Sequence, residues 1–161
     1  MLIQTLTVTM NVLFICNGNI CRSPLAAALL LKKYKEKGIE GKVSSAGFES
    51  YNINETPDPR TIEFAAQHNL ELDHKARIFR KSDFKNFDRI YVMDTRNYRD
   101  VKDLANNKSD LDKVDYLMNV LEPGSNKTIP DPFQSGVVGM DDVFDLLDRA
   151  TDKIVAMALK N

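Results

Sequence analysis

The sequence predicts an α/β fold, a single domain wound in both directions around a parallel sheet. Three observations carry this expectation. Strand-like apolar runs alternate with helix-like runs from residue 10 to residue 160. The first strand run is apolar on both faces, as in a strand buried inside a parallel sheet. It passes through one short polar turn directly into a helix pattern, the unit from which such sheets are built with right-handed crossovers.

Met10–Ile15 is the first strand, and Pro24–Lys37 is the first helix. Proline suits the opening turn of a helix, and Gly38 suits its end. Residues 1–9 read as an extension ahead of the domain, without the basic flank and apolar run of a signal peptide. Lys42–Ala46 (KVSSA) is a short second strand. The polar stretch Gly47–Pro59 is a surface loop carrying Phe48 and Tyr51. Arg60–Asn69 has helical spacing. Ser82–Phe87 forms a short helix, with Ser82 as its cap. Arg89–Met93 (RIYVM) is the third strand, Asn97–Leu104 a helix, and Val114–Met118 (VDYLM) the fourth strand. Val120–Gly139 has no period and is rich in Pro and Gly, a length that signals function or disorder in a compact domain. In Met140–Lys160, Val143, Leu146, Leu147, Ala150, Ile154 and Ala158 form one stripe of an amphipathic helix.

The chain has 161 residues, enough for one domain with its own core. It is 43% hydrophobic and 28% charged, with a net charge of -1. That balance argues against non-specific nucleic-acid binding, which needs a basic surface. No apolar run approaches the roughly 18 residues of a membrane span. Two cysteines do not make a disulfide scaffold, so a reducing, cytoplasmic setting is expected. His68 and His74 are too isolated for a metal site. No nucleotide-binding glycine motif occurs, so neither metal nor cofactor is expected. The charge run Lys32–Lys37 reads as a solvated helix face.

The turn between the first strand and the first helix reads Cys16-Asn17-Gly18-Asn19-Ile20-Cys21-Arg22-Ser23-Pro24. The backbone N–H groups of Asn17, Gly18, Asn19, Ile20 and Cys21 make a concave anion site on such a turn. The helix behind adds unpaired donors and the positive end of its dipole. Arg22 offers a planar fork matched to phosphate oxygens. A cation at a helix start is unfavourable unless an anion binds there. Cys16 in this setting favours its thiolate, the layout of a phosphoryl-transfer nucleophile. Ser23 either caps the helix or donates to the Cys16 sulfur, and both roles can hold. Gly18 is expected to permit a backbone shape that other residues resist. Cys21 is either a small loop residue or an oxidative partner for Cys16. Ester cleavage by Cys16 needs a proton donor. Asp131, in Ile129-Pro130-Asp131-Pro132-Phe133, is the candidate. It could also be an ordinary turn aspartate.

The loop motif after an apolar strand, with a later D-P-F, resembles the low-molecular-weight protein tyrosine phosphatases. The likeness extends through SSAG (Ser44–Gly47), DPR (Asp58–Arg60), HKAR (His74–Arg77) and FDRIYVMD (Phe87–Asp94). It covers essentially residues 10–160. The resemblance implies a four-stranded parallel sheet with helices on both faces. At matching positions it implies Cys16 as the nucleophile that becomes phosphocysteine and Arg22 as the phosphate clamp. Ser23 assists the thiolate, and Asp131 is the acid that later activates water. Asn19, Ser45 and His74 match residues that hold the loop, and Asp94 a supporting acid. Tyr51 and Phe133 match aromatics that wall a slot for a phenyl phosphate, with Phe48 a third candidate. Many relatives carry two adjacent aromatics after D-P; here Gln134 follows Phe133, making one wall more polar.

The implied partners are phosphotyrosine proteins, with phosphate or other oxyanions as product or inhibitor. Nucleic acid and membrane are not implied. The nearest rival is a protein-arginine phosphatase on the same scaffold, where a threonine usually replaces the loop isoleucine; Ile20 favours tyrosine. A related arsenate reductase needs relay cysteines beyond Cys16 and Cys21. A phosphate-binding module needs neither thiol nor acid.

Overall fold

The computed structural model describes residues 9–134 and 139–160. Residues 1–8 of the expected extension and residues 135–138 of the long loop lie outside the described residues. The strands are β1 Val12–Ile15, β2 Val43–Ala46, β3 Arg89–Val92 and β4 Val114–Tyr116. They form one four-stranded sheet in the order β2-β1-β3-β4, every pair parallel. The expected α/β architecture is therefore present. Thr9, the last residue of the expected extension, already bridges Glu40 in parallel.

The helices are α1 Arg22–Lys37, α2 Pro59–Gln67, α3 Asp83–Asn86, α4 Thr95–Leu104, α5 Lys108–Asp112 and α6 Met140–Lys160. Alternation along β1 divides the core. Val12 and Phe14 pack with α1 and α6, whereas Leu13 and Ile15 pack with Phe79, Phe84 and Val101 on the other face. All four residues of β1 are fully buried, which explains their unbroken apolar run. The winding reverses at β1, whose neighbours are β2 on one side and β3 on the other. Ligands of such sheets sit beyond the strand ends at this reversal. The Cys16 turn leaves β1 at that point.

Lys33 pins α1 to α6. Its Nζ reaches Asp148 Oδ1 at 2.7 Å, Thr151 Oγ1 at 2.8 Å and Asp152 Oδ1 at 2.9 Å. The run Lys32–Lys37 is thus not wholly solvated, because this ammonium is drawn to facing carboxylates. Gly38 ends α1 in the left-handed conformation at φ 64°, as expected. No helix among the described residues is long and apolar enough to cross a membrane.

Several boundaries differ from expectation, mostly because caps lie outside the apolar period. Asp58 caps α2 by accepting from Arg60 N, with Pro59 at its first position. Asp94 caps α4 and Asn107 caps α5, a helix the periodicity does not reveal in its five residues. Each such cap stabilises by ~1 kcal/mol. Ser82 makes no capping bond to α3; instead Asp83 Oδ2 accepts from Arg80 N at 2.8 Å. A 3-10 turn occupies Ser50–Asn52 within the expected surface loop, and another takes over after Tyr116, shortening β4. On α6 Leu146 is only partly buried, and Thr151 and Val155 join the core face.

Candidate active site

The turn after β1 has its outward carbonyls occupied by neighbouring segments. Asn17 O accepts from Phe48 N at 2.9 Å and Glu49 N at 3.2 Å, and Ile20 O accepts from Asp58 N at 2.8 Å. The N–H groups from Asn17 to Cys21 find no acceptor among the described residues. The start of α1 also lacks a side-chain cap and has no acidic residue in its first turn. Unpaired N–H groups around one concavity constitute an anion site.

Asn19 organises this loop from the left-handed conformation, at φ 56°, which asparagine tolerates better than most residues. Its Nδ2 donates to Ser23 Oγ and Ser45 Oγ, each at 2.9 Å. Its Oδ1 accepts from Arg77 N at 3.0 Å and from His74 Nε2 at 2.9 Å. A carbonyl oxygen only accepts, so His74 carries its proton on Nε2. His74 Nε2 also lies 3.3 Å from Ser45 Oγ. Ser23 Oγ sits 3.0 Å from Cys16 Sγ. Because Ser23 accepts from Asn19, its own proton is left for the sulfur. Ser23 therefore does not cap α1.

Gly18 is not left-handed; that conformation belongs to Asn19, and Gly18 instead leaves room beside Glu49 and Asn52. The glycine the loop requires is Gly47. A Cβ there would lie 2.7 Å from Asn17 O and 2.9 Å from Cys16 O, both backbone atoms.

Arg22 is buried. Its Nη1 donates to Ile129 O at 2.7 Å and lies 3.6 Å from Asp94 Oδ2. Ile129 is itself buried and donates its N–H to Met93 O, at the end of β3, at 2.8 Å. These two bonds bring the following residues, Pro130 to Phe133, to the mouth of the Cys16 loop. Asp131 Oδ1 accepts from Phe133 N at 2.9 Å, which stiffens that turn.

A cavity of about 400 Å³ results, lined by Cys16, Asn17, Gly18, Ile20, Cys21, Arg22, Tyr51, Asp94, Asp131 and Phe133. Asn19, Ser23, Ser45 and His74 stand behind it as the hydrogen-bonded support. Phe48 does not line the cavity; it packs on Phe79 at 5.9 Å between ring centroids, because its apolar ring reaches the core beneath. Cys16 and Cys21 are both buried free thiols. Burial pushes the Cys21 thiol up to about 12, with neighbouring Thr61 pulling the other way. Cys21 therefore stays neutral at physiological pH.

The family model for low molecular weight phosphotyrosine protein phosphatases matches residues 11–161. The chain belongs to this family. A relative from Schizosaccharomyces pombe, the low molecular weight phosphotyrosine protein phosphatase, is 35% identical over 86% of this chain and 90% of its own length. Among solved structures, an Entamoeba histolytica protein tyrosine phosphatase superposes with a TM-score of 0.85 at 30% identity. That match covers 94% of this chain and 97% of the other. The Drosophila arginine phosphatase superposes with a TM-score of 0.83 at 29% identity, over 92% of this chain and 97% of its own. This phosphatase family is a family of hydrolases.

Sequence reading of the site missed four charged residues of the same cavity wall: Glu49, Asp58, Arg60 and Arg96. The DPR and Glu49-Ser50-Tyr51 segments carry three of them, but side-chain direction cannot be read from a loop sequence. Glu49 is held between Asn17 Nδ2 and Asn52 Nδ2. Its hydrogen bond raises the ionisation of Tyr51 above the ordinary tyrosine value.

His74 is pushed below its ordinary value near 6.5 chiefly by burial, and also by the Arg77 charge, against the opposing hydrogen bond to Asn19. The unfolded chain therefore binds the His74 proton more readily than the folded one. Stability rises with pH across that window, and is lost as pH falls below about 6.5. We expect the thermal midpoint to drop between about pH 7.5 and pH 5.5, and His74→Gln to flatten part of that drop. An unchanged pH slope in the variant, measured by calorimetry, would contradict the assignment.

Proposed function

We propose that this protein hydrolyses phosphotyrosine in protein substrates, and small aryl phosphates, through a phosphocysteine on Cys16. The observation that carries the reading is the Cys16 sulfur 3.0 Å from the Ser23 hydroxyl, in one cavity with Arg22 and Asp131.

The ester phosphate occupies the concavity of loop N–H groups, and the Arg22 fork takes two of its oxygens. Binding the dianion draws Arg22 from Asp94 or shares it with that carboxylate; the Ile129 carbonyl keeps the guanidinium at hand. The Cys16 thiolate, supported by the Ser23 proton, attacks phosphorus in line with the ester oxygen. The S–P bond forms while the P–O bond breaks, and Asp131 passes its proton to the departing phenol oxygen. In the second half, the Asp131 carboxylate takes a proton from water as that water attacks phosphorus. The S–P bond breaks, inorganic phosphate leaves, and Cys16 returns as thiolate. No metal enters either step. Tyr51 and Phe133 are the aromatic walls for the phenyl ring, and apolar Ile20 shapes the loop side of the slot. Two unbridged cysteines fit a reducing compartment, so we place the activity in the cytoplasm.

The Drosophila arginine phosphatase supports a second reading on the same scaffold, hydrolysis of phosphoarginine. Peptides bearing each modification separate the two. We expect kcat/KM for phosphotyrosine to exceed that for phosphoarginine by at least about tenfold, with EDTA without effect. One extra apolar contact alone is worth ~10-fold in discrimination. A preference for phosphoarginine, or loss of activity with chelator, would overturn the reading.

A further inference from the structure

We propose that Arg60 is a positioning residue for Asp131: anchored on Asp58 at the phosphate loop, its guanidinium clamps the Phe133 ring and fixes the acid-bearing turn. This inference rests on the reading of Asp131 as general acid.

Arg60 begins from an ordinary local pair. Asp58 Oδ1 accepts from Arg60 N at 2.8 Å and Nε at 3.0 Å, and Asp58 Oδ2 accepts from Nη2 at 2.8 Å. A two-residue pair of this kind on an exposed surface contributes little on its own. Two further contacts give it a different role. Asp58 donates its own N–H to Ile20 O at 2.8 Å, so the anchor is tied to the phosphate loop. The guanidinium, held by the Asp58 carboxylate, lies over the Phe133 ring with its central carbon 3.7 Å from the ring centroid. Phe133 in turn gives its backbone N–H to Asp131 Oδ1 at 2.9 Å.

The contacts form a continuous series from Ile20 through Asp58, Arg60 and Phe133 to Asp131. All five residues line the cavity, and a second tie, the Arg22–Ile129 bond, reaches the same turn. One tie holds the acid turn from before Asp131, the other from after it. A turn held at one end only could pivot, and a displacement of about 1 Å of an acid is costly. The planar fork matters, because it makes the bidentate bond to Asp58 and the face contact to Phe133 compatible in one rotamer.

The readout is leaving-group dependence of kcat/KM, which covers steps through transfer to Cys16. Phenyl phosphate needs its leaving oxygen protonated. 2,4-Dinitrophenyl phosphate expels a phenolate stable enough to leave almost unaided. For Arg60→Ala we expect a loss of about threefold to tenfold on phenyl phosphate, equal to ~0.6–1.4 kcal/mol at 1.36 kcal/mol per decade. On the dinitrophenyl ester the loss stays under about twofold: attack by Cys16 is untouched, the phenolate leaves without the Asp131 proton, and the share due to a loosened Phe133 wall, common to both aryl esters, is small. In an Asp131→Ala background the same change adds nothing on phenyl phosphate. Arg60→Gln serves as a second variant, and an unaltered inhibition constant for inorganic phosphate verifies that the loop remains intact.

Equal losses of Arg60→Ala on both esters, no loss on either, or a further loss in the Asp131→Ala background would each overturn the latch. Should Asp131→Ala itself fail to discriminate between the esters, the acid assignment falls instead. The two failures are therefore distinguishable.

Discussion

Cys16→Ser abolishes turnover of para-nitrophenyl phosphate, with kcat falling on the order of 10⁴-fold or more, as when a covalent nucleophile is removed. The reason is chemical rather than steric. Serine fits the buried position and retains a partner in Ser23 at nearly the same separation. A hydroxyl, however, does not ionise in this loop, and no histidine lines the cavity to act as its base. The binding half of the site remains, because the loop N–H groups and Arg22 are unchanged. Inorganic phosphate should still bind the variant with an affinity within a few-fold of the parent, as read by calorimetric titration. Residual turnover near the parent value would remove Cys16 from the chemistry and leave only a phosphate-binding loop.

Asp131→Asn and Asp131→Ala are each expected to lower kcat/KM for aryl phosphates by roughly 10²–10⁴, the span of general acid catalysis. The asparagine variant is the cleaner probe. It keeps the side-chain oxygen that accepts from Phe133 N, so the turn stays stiff while the transferable proton is lost. Stability should change by no more than about 0.5 kcal/mol for the asparagine variant, as for a substitution away from a core contact. Circular dichroism melting checks that point independently of rate. Full activity in Asp131→Asn would show that the leaving oxygen is protonated from elsewhere.

The sheet was legible because its strands announce themselves. Val12 to Ile15 is apolar on both faces for the same reason that it is buried on both faces, between α1 with α6 and the aromatic layer of Phe79 and Phe84. Cys16, Arg22 and Ser23 were legible because they share one turn, where spacing alone restricts geometry. Asp131 lies more than a hundred residues further on. Its placement depends on Ile129, whose N–H bonds Met93 O and whose carbonyl accepts from Arg22. Neither bond has a signature in local sequence. The same limit hid α5, whose start is set by the Asn107 side chain rather than by an apolar period. It also hid the part played by Asn19, which takes the left-handed conformation and aims its amide at four partners. The charged rim of Glu49, Arg60 and Arg96 escaped for a third reason. Surface charges are common, and only the fold decides which of them face a cavity.

The most direct measurement is mass spectrometry of the enzyme quenched by denaturant during turnover of an aryl phosphate. The account predicts one added phosphoryl group on the peptide containing Cys16, accumulating in Asp131→Ala wherever water activation becomes limiting, and missing from Cys16→Ala. Turnover with no modified Cys16 peptide, or with the phosphoryl group on another residue, would contradict it.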